Sequence, residues 1–119
     1  MEVKNGIDIL EIARIEKSMK SEHFLERVFS QKELMLLKEK NFSAQTAAAN
    51  FCAKEAFAKA IGTGIRGFSL TEVSILRDSQ GEPYIELSGK ALELSKDFSF
   101  SVSLSHNDTM AIAVVTAYK

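Results

Sequence analysis

Cysteine is almost absent from this sequence, in which Cys52 is the only one. A single thiol cannot form a disulfide within its own chain, and it cannot build a metal site from cysteine ligands. We therefore interpret the chain as an intracellular protein that stays reduced. Cys52 lies in an alanine-rich segment, where we expect a buried and unreactive side chain.

Long apolar runs are also missing. The first five residues lack the apolar run of a signal peptide. The longest apolar stretch, residues 111–115, is far too short to span a bilayer. We expect a cytoplasmic protein without a membrane partner.

Neither sign of charge dominates, because 15 Lys and Arg stand against 16 Asp and Glu. A dedicated nucleic-acid binder needs a surplus of basic residues, so we expect no nucleic-acid partner and only local electrostatic specificity. Repeats, low-complexity segments and Pro/Gly-rich linkers are absent as well. A chain of 119 residues suits one core, and we expect residues 1–119 to form a single domain.

Well-known catalytic patterns are missing too: no nucleophile elbow, zinc-ligand spacing or Ser-His-Asp arrangement occurs. The sequence instead offers two carboxylates, a lysine and a histidine as its chemical groups. These suffice for a Mg²⁺ site that substrate phosphates complete, since Mg²⁺ prefers oxygen ligands. They do not name a substrate.

The first half of the chain has a strand pattern followed by helical patterns. Residues 3–9 alternate with period two, which places Asp8 on the face opposite Ile7 and Ile9. Helical pieces are expected over 11–40, with a Ser30–Glu33 capping box and nearly balanced charges that indicate a solvated surface. Residues 43–61 predict one long helix, capped by a serine at its start and ended by glycine.

The second half of the chain turns to strands. Residues 73–77 and 84–87 flank a turn sequence at 78–81 and predict a hairpin. A short helix is expected over 90–96. Alternating residues from 98 onward and the apolar run 110–118 predict two more strands, the last one buried. The fold class is α+β: one long helix packed on a small, mainly antiparallel sheet.

Asp8, Glu55 and Lys59 each have a structural interpretation beside a functional one. Aspartate is disfavoured in strands, so Asp8 is either a cap for the following helix or a metal ligand or base. Glu55 and Lys59 are four residues apart on one helix face. They form either a surface ion pair, worth a few tenths of a kcal/mol, or a phosphate site near the glycine turn.

The remaining candidates favour structural roles when they are considered alone. The glycines at 62 and 64 follow a helix, whereas a P-loop precedes one, so their local role is a C-cap. His106 ends a strand beside a turn and is expected to bond to backbone. His23 lies in a charged helix and is expected to be exposed.

Three segments together resemble the holo-acyl-carrier-protein synthases, the small phosphopantetheinyl transferases. They are residues 6–15 (GIDILEIARI), 51–65 (FCAKEAFAKAIGTGI) and 103–106 (SLSH), and residues 27–33 and 81–84 also fit. The resemblance covers nearly the whole chain in the family's order and spacing. It therefore reverses the preference at Asp8, Glu55 and Lys59 towards the functional interpretation.

The resemblance implies a catalytic set of Asp8, Glu55 and Lys59, in which the two carboxylates hold Mg²⁺ against the pyrophosphate of coenzyme A. It implies that Arg14 contacts the acyl carrier protein. It also implies a homotrimer with active sites between subunits. The implied coenzyme A-binding residues are Lys59, Gly62, Gly64, Pro83, Ser105 and His106.

The implied reaction belongs to fatty acid biosynthesis. A serine hydroxyl of the carrier attacks the β-phosphate of coenzyme A, and 3′,5′-adenosine bisphosphate leaves. Mg²⁺ neutralises the developing charge. The proton of the serine goes to a metal-held water or to a nearby carboxylate, and the sequence leaves both open. The accepted carriers, the use of acyl-coenzyme A and the preferred metal are open as well.

Two positions depart from the patterns of relatives. Leu10 stands where larger single-chain transferases have an acidic residue, which places this chain with the small class. Asn50 stands where many relatives have Arg, and the effect of this difference on phosphate binding is open. A second interpretation, a binding subunit for coenzyme A or the carrier without catalysis, is disfavoured because both carboxylates and Lys59 are present.

Overall fold

The structure is a computed structural model that describes residues 1–64 and 67–119. Ile65, the last residue of the second resembling segment, lies outside the described residues. One turn of 3₁₀ helix, Leu70–Glu72, precedes the second strand. The elements are β1 (Val3–Glu11), α1 (Ile12–Ser18), α2 (Glu22–Val28), α3 (Gln31–Glu39), α4 (Ala44–Ile61), β2 (Val73–Arg77), β3 (Pro83–Leu87), α5 (Gly89–Leu94), β4 (Ser99–His106) and β5 (Met110–Tyr118).

The strands form two antiparallel sheets. A three-stranded sheet has the order β1-β5-β4, and the hairpin β2-β3 forms a second sheet beside it. Helix α4 packs on β1 and β5, as the prediction of one long helix on a small antiparallel sheet requires. The α+β class is therefore confirmed.

A glycine lets α4 approach β1 closely. A Cβ added at Gly6 would lie 1.9 Å from the backbone oxygen of Ala56. No real Cβ atom stands so close to a backbone oxygen, so any other residue at position 6 would push the strand and the helix apart. This close approach places Asp8, two residues further along β1, beside the middle of α4.

The helix boundaries follow the predicted capping chemistry. Ser30 and Glu33 form the reciprocal capping box that opens α3, and the Ser43 hydroxyl accepts a hydrogen bond from the Thr46 amide at the start of α4. Gly62 has φ +79°, the left-handed conformation that ends a helix. Among the described residues, every helix is too short or too polar to cross a bilayer.

The expectation of a solvated surface over residues 11–40 is wrong at Glu33. Its side chain is fully buried because it does more than close the capping box. One carboxylate oxygen accepts from the Ser30 amide, and the other accepts from the Asn50 side chain and the Ile75 amide. Charge balance along the sequence gave no indication of this burial.

The two faces of the three-stranded sheet differ in what covers them. Alternate residues of β5 are buried against α4, so the prediction of a buried last strand holds for every second residue. On the opposite face, Ile7 is 56% exposed and Ile9 is 59% exposed. We name this face the outer sheet face; its apolar residues include Val3, Ile7, Ile9, Ile112 and Val114.

Candidate active site

Asp8 lies on the inner face of β1, and its side chain is 20% exposed. The cap of the following helix is Glu11, and its side chain makes no capping hydrogen bond. The interpretation of Asp8 as a helix cap is therefore wrong. Its carboxylate is directed towards α4 instead.

Lys59 joins α4 to β1 through Asp8. Its ammonium nitrogen lies 3.2 Å from Asp8 Oδ1 and donates to the backbone oxygen of Ile7 at 2.9 Å. Among the described residues, the salt bridge of Lys59 is made with Asp8 and not with Glu55. The alternative of a Glu55–Lys59 surface ion pair is not what the structure shows.

Glu55 completes a group of two carboxylates and one ammonium. Burial raises the pKa of Glu55 above its ordinary value, the nearby charge of Asp8 raises it further, and Lys59 opposes both effects. With both carboxylates ionised, the group has one more negative charge than positive ones. A cation at this position would stabilise the ionised form of Glu55.

The donor set fits a hard cation. Two carboxylates supply oxygen ligands, and Mg²⁺ is commonly bound through one or two carboxylates together with waters and substrate phosphates. Within residues 1–64 and 67–119, no group of three or more His, Cys, Asp or Glu side chains is arranged so that it could hold a metal ion. A metal held by Asp8 and Glu55 would therefore take its other ligands from water or substrate.

Cys52 lies behind Asp8. It is fully buried, and its sulfur is 3.6 Å from Asp8 Oδ2 and 3.6 Å from the backbone oxygen of Ala111. Burial, and next the charge of Asp8, raise the pKa of the Cys52 thiol to about 12. The thiol thus remains protonated, as expected for an unreactive cysteine, but its contact with Asp8 was not predicted.

Asp8 and Glu55 line one cavity of about 410 Å³ together with Arg14. We name it the carboxylate cavity. Apolar side chains from α2 and α4, Phe24 and Phe51, form part of its wall, and their rings stack at a centroid distance of 6.2 Å. Arg14 is exposed on α1. The two predicted metal ligands and the predicted carrier contact thus share one opening.

Pro83 and His106 line a larger cavity, of about 730 Å³. We name it the hairpin cavity because the β2-β3 turn forms one wall. His106 is exposed, and its Nδ1 lies 3.4 Å from the backbone oxygen of Asn107, so its predicted backbone partner is present. His23 is exposed, as predicted. The structure therefore separates the predicted site residues into two cavities.

The other predicted coenzyme A-binding residues, Ser105, Gly62 and Gly64, line neither the carboxylate cavity nor the hairpin cavity. Ser105 pairs with Ile112 on the outer sheet face, since neighbouring residues of a strand point to opposite sides. Gly62 and Gly64 follow the C-terminal end of α4, one turn beyond Lys59, and both have positive φ. Their role in binding the coenzyme stays a prediction.

A buried ion pair escaped the sequence analysis. The Lys54 ammonium donates to Glu33 and to the backbone oxygens of Leu70 and Val73, and both charged side chains are 0% exposed. A signal was present, because Lys54 is a charged residue in the middle of a helix rich in alanine. Sequence alone did not identify the partner, which is 21 residues away.

Asn50 hydrogen-bonds to other parts of the chain. It is fully buried, and its amide nitrogen donates to Glu33 at 3.0 Å and to the backbone oxygen of Ile75 at 2.9 Å. Its amide oxygen accepts from Arg77 at 2.8 Å. Position 50 therefore belongs to the protein interior in this chain.

Comparison with known proteins decides the family. A profile described as the 4'-phosphopantetheinyl transferase superfamily matches residues 5–115. The chain belongs to this superfamily. Its relatives include the "Holo-[acyl-carrier-protein] synthase" of Clostridium beijerinckii, 46% identical over 111 residues that cover 91% of this chain and 90% of the relative. The protein of the same name from Treponema denticola is 42% identical and covers 92% and 93%.

Solved structures of phosphopantetheinyl transferases share the fold. The holo-[acyl-carrier-protein] synthase of Neisseria meningitidis superposes with a TM-score of 0.87 and 34% identity, covering 98% of both chains. That of Helicobacter pylori, solved in complex with coenzyme A, has a TM-score of 0.83 and 37% identity over 96% of this chain and 99% of that one.

Proposed function

We propose that this protein is a holo-acyl-carrier-protein synthase. It transfers the 4'-phosphopantetheine group from coenzyme A to a serine of apo acyl carrier protein, and the product serves fatty acid biosynthesis. The single observation that carries the proposal is the convergence of Asp8, Glu55 and Lys59 at one half-buried place. Relatives that match over 91% of this chain bear this enzyme's name. We assign it to the cytoplasm, in keeping with a lone, buried cysteine.

The proposed cofactor is Mg²⁺, held by Asp8 and Glu55. When bound, Mg²⁺ would neutralise the phosphate oxygens of coenzyme A and the charge that develops on them. Asp8 supplies a carboxylate that Cys52 and Lys59 already hold from two sides. Glu55 supplies the second carboxylate from α4.

Lys59 supplies the positive charge for the phosphates. Its side chain is 56% exposed, so the ammonium has room to turn from Asp8 towards a phosphate oxygen of coenzyme A. The serine oxygen forms a new bond to the β-phosphate, and the bond to the leaving 3′,5′-adenosine bisphosphate breaks. The serine proton goes to water or to a carboxylate of the site.

Two observations support the homotrimer with active sites between subunits. The outer sheet face exposes a contiguous apolar surface, since Ile7 pairs with Val114 and Ile9 with Ile112 in register. Such surfaces commonly mark interfaces. Asp8 and Glu55 line one cavity, while Pro83 and His106 line another. In a cyclic assembly, the hairpin cavity of one subunit can face the carboxylate cavity of its neighbour.

Arg14 is the proposed contact for the acyl carrier protein. It is exposed on α1 and lines the carboxylate cavity, so a carrier bound there brings its serine towards Asp8 and Glu55. Because the net charge is only −1, electrostatic attraction of the carrier has to come from local charged groups of this kind.

Intact-mass analysis of the carrier tests the activity. Apo carrier, coenzyme A, Mg²⁺ and this protein are incubated together, and we expect the carrier mass to increase by one phosphopantetheine group. A subunit that only binds coenzyme A or carrier would leave the mass unchanged, and this result would reject the proposal.

Mixed oligomers test the shared site. Asp8→Asn and His106→Ala are each expected to be nearly inactive, and refolding them together creates interfaces with an intact Asp8 and an intact His106. Activity should partly return, and light scattering should report a trimer for all three preparations. Mixtures no more active than their parents would place both residues in one subunit's site.

A further inference from the structure

Arg77 is a half-buried cation whose hydrogen-bond partners among the described residues are all neutral. The guanidinium Nη2 donates to Asn50 Oδ1 at 2.8 Å, and Nη1 makes longer contacts with the backbone oxygens of Ile75 and Leu76, at 3.4 and 3.3 Å. Burial lowers the pKa of Arg77, and Glu33 only partly opposes this. Within the described residues, no carboxylate lies within salt-bridge distance of its guanidinium.

This arrangement leaves hydrogen-bonding capacity for a ligand. Arginine has five N–H donors, and the three contacts above leave two of them without a described protein partner. A partly desolvated charge is stabilised best by an ion of opposite sign. Arg77 therefore has the features of a residue that binds an anion.

The anion would lie in the hairpin cavity, which Arg77 lines with Lys40, Pro83 and His106. Acidic side chains also occur on this wall, at Glu39, Asp78 and Glu82. The Asp78 carboxylate is engaged in its own turn, where it accepts from the amides of Gln80 and Glu82 at 2.8 and 2.9 Å. It does not neutralise Arg77.

We propose that Arg77 binds the 3′-phosphate of coenzyme A. This inference rests on the proposed function. Coenzyme A carries phosphate at two places, the pyrophosphate and the ribose 3′-position. The pyrophosphate belongs beside the metal carboxylates Asp8 and Glu55, which line the other cavity. The phosphate that remains for Arg77 in the hairpin cavity is the one on the ribose.

Asn50 is the positioning residue for Arg77. Its amide nitrogen is engaged twice in the interior, by Glu33 and by the backbone oxygen of Ile75. The amide oxygen is therefore oriented towards Nη2 of Arg77 and fixes the position of the guanidinium. A fixed guanidinium loses less conformational entropy when it pairs with phosphate.

Calorimetric titration with two probes tests this assignment: coenzyme A and 3′-dephospho-coenzyme A. Charged hydrogen bonds of this kind correspond to about ten- to a hundred-fold in affinity. We expect Arg77→Gln to weaken the binding of coenzyme A by this factor and to leave the affinity for 3′-dephospho-coenzyme A nearly unchanged. Arg77→Lys keeps the positive charge but lacks the planar guanidinium, so its affinity for coenzyme A should lie between those of the wild type and Arg77→Gln. Lys96→Gln, an exposed cation outside this cavity, is the matched control.

The outcomes separate the two proposals. If Arg77→Gln binds both probes equally more weakly, or as tightly as the wild type does, the proposed role of Arg77 is rejected. The proposed function stands in that case, provided that the wild type still modifies the carrier. Failure of the wild type to modify any carrier would instead reject the proposed function. The melting temperature of each variant is measured with its titration. If Arg77→Gln does not fold, the ratio of the affinities of Arg77→Lys for the two probes tests the proposal instead.

Discussion

Helix α4 carries two charged clusters that differ in how their charges are balanced. The buried cluster, Glu33, Asn50 and Lys54, contains one acid and one base that are 0% exposed, and every polar atom has a partner. The open cluster, Asp8, Glu55 and Lys59, contains two acids and one base beside a cavity. Lys54 and Glu55 are neighbours in sequence, yet they belong to different clusters.

This difference in charge balance distinguishes a cluster that stabilises the fold from one that can bind ligands. A balanced and fully hydrogen-bonded cluster has nothing left to offer a ligand, so its role is to join α3, α4 and β2. An unbalanced cluster with partial exposure can take up a cation and anionic phosphates. The two clusters should therefore respond differently to mutation, one in stability and the other in activity.

The largest effect is expected from breaking the buried cluster. Lys54→Met removes the ammonium and leaves the Glu33 carboxylate buried without its counter-ion, which should lower the free energy of unfolding by about 3–5 kcal/mol. Urea unfolding measures this loss. The exposed control Lys96→Met should change stability by less than about 0.5 kcal/mol. A small loss in Lys54→Met would show that the pair contributes little to the fold.

The open cluster should show the opposite response. Asp8→Asn and Glu55→Gln each remove an anionic ligand with little change in shape, so turnover at saturating Mg²⁺ should fall by about 10²-fold or more. Thermal melting should stay near the wild type. Turnover close to the wild type in either variant would remove that residue from the metal site.

A smaller effect is expected at the rim of the carboxylate cavity. Arg14→Glu reverses the charge that attracts the carrier, which should raise KM for the carrier by about three- to ten-fold and leave KM for coenzyme A unchanged. Lys17→Glu makes the same charge change on the same helix away from this cavity. Equal changes in both KM values would point to a structural role for Arg14.

The smallest effect is a dependence of stability on pH in metal-free protein. The folded pKa of Glu55 is raised above its value in the unfolded chain, so the folded state holds a proton that the unfolded state releases. The free energy of unfolding should therefore fall as pH rises from the unfolded to the folded pKa. Glu55→Gln should flatten this slope, measured by unfolding in EDTA. An unchanged slope would assign it to another group.

Periodicity and capping chemistry allowed most elements to be predicted. The alternation around Asp8, the Ser30–Glu33 box and the helix end at Gly62 are local patterns, and local backbone sterics and hydrogen bonding determine them. Asp8, Glu55 and Lys59 were singled out because residue type and spacing, together with the resemblance, suffice to identify metal-binding groups. Their mutual contacts were not predictable.

Tertiary structure decided the rest, because the pairings involved are distant in sequence. Lys59 meets Asp8 across 51 residues, and that contact depends on Gly6 letting β1 approach α4. Lys54 and Glu55 are adjacent in sequence, and the orientation of α4 alone decides that Lys54 is buried and that Glu55 lines a cavity. The sequence by itself determined which groups are available; packing determined which charges are neutralised and which remain for ligands.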